Sequence, residues 1–211
     1  NETITEVVVG NDHKCALTET NRVYCWGNNN YGQALLSNSG SVNTPYLVEF
    51  DDEIIPVSIS GKYDHTCILN YNGAVYCWGY NAYGQLGDGT QTNRYEIVQS
   101  ILPSSDPAVK VVAGYYHTCA LLESGEMRCW GRNNFGQIGV ESSTPSQYKY
   151  PTPVLNLPAD PLSFDLGYEL QNLYEEINWY RKNKLTDSDF ITKHSLTFLE
   201  YELKPKVHFY R

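Results

Sequence analysis

The sequence predicts an all-β fold: a partial β-propeller of about three four-stranded blades, followed by a C-terminal helical or mixed extension. Three observations carry this reading. Six cysteines fall in pairs at 15 and 25, 67 and 77, and 119 and 129, so successive pairs advance by 52 residues. His13, His65 and His117, then Trp26, Trp78 and Trp130, then Gly32-Gln33, Gly84-Gln85 and Gly136-Gln137 keep the same step. Each unit holds four short extended segments and shows no helical periodicity.

Each unit opens on a segment rich in β-branched residues: ITEVVV at 4–9, IPVSIS at 55–60 and VKVVA at 109–113. The cysteine segment that follows reads as a β-hairpin. With Cys15 opposite Cys25, the facing positions run 16/24, 17/23 and 18/22 and leave a three-residue loop at 19–21. Such loops need a left-handed residue at their last position, and Asn21, Gly73 and Gly125 stand there. The cysteine face then also carries Leu17 with Val23, Leu69 with Val75, and Leu121 with Met127, as a period of two requires. A fourth strand follows at PYLVE (45–49), YEIVQ (95–99) and PTPVLNL (151–157). The blades therefore span 4–54, 55–107 and 108–157, inside an array covering 1–157.

After residue 157 the composition changes: 158–211 hold no cysteine and a single glycine. Leu166, Leu170, Leu173, Ile177 and Tyr180 share one helical face, so an amphipathic helix is expected over 166–184. This extension reads either as a cap on an exposed blade edge or as sequence under no selection.

The repeated segments HTCAL (117–121), YCWG (24–27 and 76–79) and NAYGQLG (81–87) resemble the repeats of the regulator-of-chromosome-condensation family. The resemblance covers roughly residues 4–157. It implies four-stranded blades in a propeller whose complete ring has more blades than the three found here. Closing the ring then calls for a homo-oligomer or for additional repeats.

The cysteines admit three readings. Zinc needs four ligands gathered at one place, whereas each repeat offers only His, Cys and Cys. A disulfide across each hairpin, Cys15–Cys25, Cys67–Cys77 and Cys119–Cys129, leaves no odd cysteine and repeats identically. Free buried thiols are the third reading. The disulfide reading implies an oxidising compartment: extracellular, periplasmic or cell-surface. The three histidines are expected to start strands and hydrogen-bond to backbone, and the tryptophans to pack between blades. Asp88-Gly89-Thr90 suggests a calcium loop or, more simply, a turn.

The balance of 15 basic and 24 acidic residues opposes nucleic acid or an anionic membrane as partner. No apolar run reaches the ~18–20 residues that span a bilayer. The chain begins Asn1-Glu2-Thr3, which reads as a mature product or a fragment. None of the motifs GxSxG, HExxH, GxGxxG, the P-loop or the EF-hand occurs, so no enzyme, metal or cofactor is expected. What the repeats do offer is variable loops after each Trp-Gly: NNNY (28–31), YNAY (80–83) and RNNF (132–135). Asn and Tyr give adaptable hydrogen bonds and amphipathic aromatic contact. Asn28, Asn30, Tyr31, Tyr80, Tyr83, Arg132 and Phe135 are therefore the candidate contact residues, the alternative being a locally packed turn. The expected function is a non-catalytic extracellular or cell-surface module binding a protein or glycan. The resemblance supplies two alternatives, a secreted enzyme inhibitor and a nucleotide-exchange regulator of a small GTPase. Disulfide-type cysteines and an acidic balance oppose the second.

Overall fold

The computed structural model describes residues 2–37, 40–141 and 145–157. The chain divides into two units, Asn1–Leu157 and Pro158–Arg211; the helix expected over 166–184 lies outside the described residues. The first unit is three antiparallel sheets of four strands, each in sequence order. The first blade holds β1 (Ile4–Val9), β2 (His13–Thr18), β3 (Val23–Asn28) and β4 (Ser41–Val48). The second holds β5 (Pro56–Lys62), β6 (His65–Asn70), β7 (Val75–Gly79) and β8 (Arg94–Gln99). The third holds β9 (Ala108–Ala113), β10 (His117–Leu122), β11 (Met127–Arg132) and β12 (Gln147–Pro153). The first and third of the outer strands begin four residues before the apolar segments that announce them, because their opening residues pair with the Gly-containing ends of β3 and β11.

The hairpin register is the one the cysteines dictate. Cys15 faces Cys25, Ala16 faces Tyr24 and Leu17 faces Val23, and the other two blades repeat this. Asn21, Gly73 and Gly125 take φ of 61°, 80° and 87°, the left-handed conformation that closes such a loop. All six cysteines are joined in the three hairpin disulfides.

The core lies between blades rather than within them. Val8, Leu17, Val23 and the Cys15–Cys25 pair on the first blade pack with Ile59, Ile68 and Trp78 on the second. Leu69, Val75, Leu86 and the Cys67–Cys77 pair then pack with Val111, Ala120, Leu122 and Trp130 on the third. The cysteine face of one blade thus always meets the tryptophan face of the next. A single sheet leaves an apolar face in water, so each blade needs its neighbour.

Repeated polar residues fasten the same junctions. His13 Nε2 meets Thr66 Oγ1 at 2.8 Å and His65 Nε2 meets Thr118 Oγ1 at 3.0 Å. These bonds run to the hydroxyl of the following blade, a contact that the reading of each hairpin alone did not contain. Burial, with the Lys14 charge second, lowers the His13 pKa to about 4. Burial, then the neighbouring His13 and His117, lowers that of His65 to about 3. Both rings are therefore neutral near pH 7. At the first junction Gln33 donates from Nε2 to Asp64 Oδ1 at 3.1 Å, and its backbone carbonyl accepts from Trp78 Nε1 at 3.0 Å.

Candidate functional site

The loops that follow β3, β7 and β11 are built by the repeated Asn and Gln. The Gln33, Gln85 and Gln137 Oε1 atoms accept from the backbone N–H of Tyr31, Tyr83 and Phe135 at 2.8, 3.0 and 2.8 Å. Asn81 Oδ1 accepts from Leu86 N at 3.0 Å, and Asn29 and Asn133 hold Ala34 N and Ile138 N in the same way. These amides, all buried except the partly exposed Gln137, fix each loop from beneath. The Gly before Gln33 and the Gly before Gln85 are needed because the next blade comes close: a Cβ on Gly84 would stand 2.5 Å from Lys149 Cα.

The loops between β1 and β2, β5 and β6, and β9 and β10 lie at the same end of the blades. Together the two sets of loops gather aromatic side chains from all three repeats. Tyr31 meets Tyr80 edge-on at 4.9 Å between centroids. Tyr80 lies 6.3 Å from Tyr83 and 6.0 Å from Tyr116, and Tyr83 lies 5.0 Å from Tyr116. Tyr63 continues the belt at 4.8 Å from Tyr116 and 4.5 Å from Tyr115. The Arg132 guanidinium sits over three of the rings, 5.2 Å from Tyr83, 5.5 Å from Tyr116 and 5.7 Å from Phe135. These separations are those of favourable ring pairs and cation–π contacts. Tyr63 is held at φ 58°, while its carbonyl accepts from Asn11 N at 2.8 Å. A non-glycine residue pays about 1 kcal/mol for that conformation.

Of the seven residues expected to make contacts, the structure brings five into this belt: Tyr31, Tyr80, Tyr83, Arg132 and Phe135. Phe135 is 85% exposed. The other two serve the first loop. Asn28 Oδ1 accepts from Asn30 N at 2.9 Å, and the Asn30 carbonyl accepts from the Tyr95 hydroxyl. Tyr63, Tyr115 and Tyr116 were missed. Their signal was present, since 11–12, 63–64 and 115–116 keep the 52-residue step and vary while the His that follows them recurs.

The belt offers stacked rings and hydrogen-bonding hydroxyls. A side-chain hydrogen bond with Tyr63, then burial, holds the Tyr116 phenol above its usual range. Burial, then its tyrosine neighbours and Asp64, raises Tyr80 as well. Both hydroxyls therefore stay protonated at neutral pH and act as donors and acceptors. The six cysteines are oxidised and offer no thiolate as nucleophile or ligand. Among the described residues no group of His, Cys, Asp and Glu is placed to hold a metal ion. The calcium reading of 88–90 gives way to a turn. The Asp88 carboxylate is taken by Thr90 N at 3.0 Å, Thr90 Oγ1 at 2.8 Å, Asn81 Nδ2 at 3.1 Å and the Arg94 guanidinium at 2.7 Å.

Fold and surface together define an array of propeller blades presenting an aromatic face. Two models of the Regulator of chromosome condensation (RCC1) repeat match it, one at 4–33, 57–85 and 108–137 and the other at 20–69 and 72–121. The chain belongs to this repeat family. It is 34% identical over 144 residues to human probable E3 ubiquitin-protein ligase HERC4, covering 67% of this chain and 13% of that one. It is 30% identical over 142 residues to the Arabidopsis thaliana ultraviolet-B receptor UVR8, covering 67% of this chain and 32% of the receptor. The chain thus spans a third or less of the length of these relatives. Yeast RCC1 (Prp20), crystallised bound to Kap60, superposes with a TM-score of 0.65 at 22% identity over 72% of this chain and 37% of that one.

Proposed function

We propose that the chain is a non-catalytic binding module that recognises a protein outside the cytoplasm through its tyrosine–arginine face. One observation carries this reading: Arg132 stacked on Tyr83, Tyr116 and an almost fully exposed Phe135. Tyr and Arg dominate the residues on which protein interfaces depend. Stacking also orders these side chains in advance, which lowers the entropic cost of binding. Three disulfides support an oxidising compartment. Among solved relatives, Prp20 is described with its binding to Gsp1p and histones, so a propeller of this repeat serves there as a protein-binding surface.

The test is a photo-crosslinking residue placed at 135 and, as a control, at Tyr71, which lies on a hairpin loop at the opposite end of the blades. With extracellular or envelope fractions, mass spectrometry should find a protein adduct at 135 and none at 71. Arg132→Ala should then weaken binding of that purified protein at least about tenfold, and Tyr71→Ala should leave it unchanged. Equal adducts at both positions, or full affinity in Arg132→Ala, would end this reading.

A further inference from the structure

Among the described residues the two ends of the array have no neighbouring blade, and each carries the half of a junction that the other lacks. On the cysteine face of the third blade, Leu121 is 39% exposed where Leu69 is 6%. Val112, on the same face, is exposed where Val8 is buried. Gly125 and Gly136 meet nothing within 4 Å, whereas their counterparts Gly73 and Gly84 abut the next blade. On the tryptophan face of the first blade, Val7 is 62% exposed where Val111 is 3%. Val9 is exposed as well, and Trp26 is only half-buried while Trp78 and Trp130 are fully buried.

The polar residues at these ends match in kind and register. Gln137 Oε1 is held by Phe135 N, which leaves its Nε2 to donate as Gln33 Nε2 does to Asp64. No acceptor meets it among the described residues. The residue that stands at the Asp64 position in the first blade is Asp12, which is exposed. The second junction shows why this match is informative: Tyr116 occupies that position there, and Gln85 Nε2 is left buried without a partner. Lys110 stands at the position of Glu6, whose carboxylate accepts from Ser58 Oγ at 3.0 Å and Ile59 N at 2.8 Å on the following blade. A Lys110 ammonium carried to the same place would face Glu6 of a first blade. Lys14 holds the threonine position opposite His117, as a donor to a neutral ring.

We infer that the third blade of one copy docks on the first blade of a second copy, head to tail, through the junction that the chain already makes twice within itself. The paired groups are Gln137 with Asp12, Lys110 with Glu6, and the Leu121 and Val112 face with Val7, Val9 and Trp26. The interface is heterologous, so each copy uses two different surfaces and neither pairs with itself. Blade-to-blade burial is the force that holds the array together, and the two open faces extend it.

The experiment measures solution mass of the full 211-residue chain by sedimentation or light scattering. The wild-type chain should show concentration-dependent association above its 24.0 kDa mass. Val7→Glu and Leu121→Glu change exposed positions on opposite ends, and each alone should abolish it. Mixed, the two variants should form a 1:1 complex of twice the chain mass, because one intact junction remains. A wild-type chain that stays monomeric up to about 100 μM overturns the inference. So does an effect confined to one of the two variants, or a mixture that shows no complex. A lower melting temperature in a monomeric Leu121→Glu also overturns it, since the face would then be covered from within the chain. The outcome is independent of the partner of the tyrosine–arginine face, which the Arg132→Ala variant reads separately.

Discussion

Leu69 and Leu121 hold the same position in successive blades, on the same face, beside the same disulfide, yet Leu69 is buried and Leu121 is not. The tryptophans differ in the opposite sense: Trp78 and Trp130 are enclosed while Trp26 is half-exposed. Identical local sequence therefore gives different energetic weight, because burial comes from the neighbouring blade. Among the described residues, only the second blade is covered on both faces by neighbouring blades. Stability in this array is a sum of junctions.

Acid should expose this most strongly. His13 and His65 are neutral in the fold, with pKa values of about 4 and about 3, whereas in the unfolded chain each regains a pKa near 6.5. The unfolded state then binds more protons, so stability falls as pH drops below about 6.5, by roughly 1.4 kcal/mol per pH unit for each ring. The loss is complete only below the folded-state values. His117, half-buried at the open end, is also lowered by burial and by Lys62. Denaturant melts between pH 7 and 4 should show a slope that flattens in His65→Gln and changes little in His117→Gln. Equal flattening in both would erase the distinction between junction and open end.

Substitution of the tryptophans comes next. Trp78→Ala should cost about 3–5 kcal/mol, since a large, fully enclosed side chain leaves a cavity. Trp26→Ala should cost a clearly smaller amount at concentrations where the chain is monomeric. Chemical denaturation measures both.

The smallest effect is at the glycines. Gly84 and Gly136 share a left-handed backbone, with φ of 80° and 74°. At Gly136 an alanine has open space and should cost only the conformational term, about 1 kcal/mol. At Gly84 the clash with Lys149 should add about 1–3 kcal/mol. Comparing the two melting curves separates backbone strain from blade contact.

Much of this fold was legible because its signals are local. The ten-residue spacing of the cysteines, with Asn21, Gly73 and Gly125 two residues before the facing strand, pointed to one hairpin register, and that register is observed. The inner strands at 4–9, 55–60 and 109–113 were recognisable from β-branched residues. The residues of the aromatic belt were legible only in part. Tyr80, Tyr83 and Arg132 come from loops already suspect for their variability. Tyr63, Tyr115 and Tyr116 join them from a different loop, and no periodicity within one repeat connects the two. His13 and Thr66 show the same limit, for they are 53 residues apart and form one bond.

The sequence by itself determined the repeat, the hairpin register and the alternation of cysteine and tryptophan faces. Turn chemistry and a period of two act over a few residues, so these can be read along the chain. Only the tertiary structure decided which copies of a repeated residue are buried and that aromatic rings from three blades form one belt. It also decided that Val7, Val9, Val112 and Leu121 at the two end faces are exposed. Those properties depend on stacking between blades, where distance along the chain says nothing about distance in space.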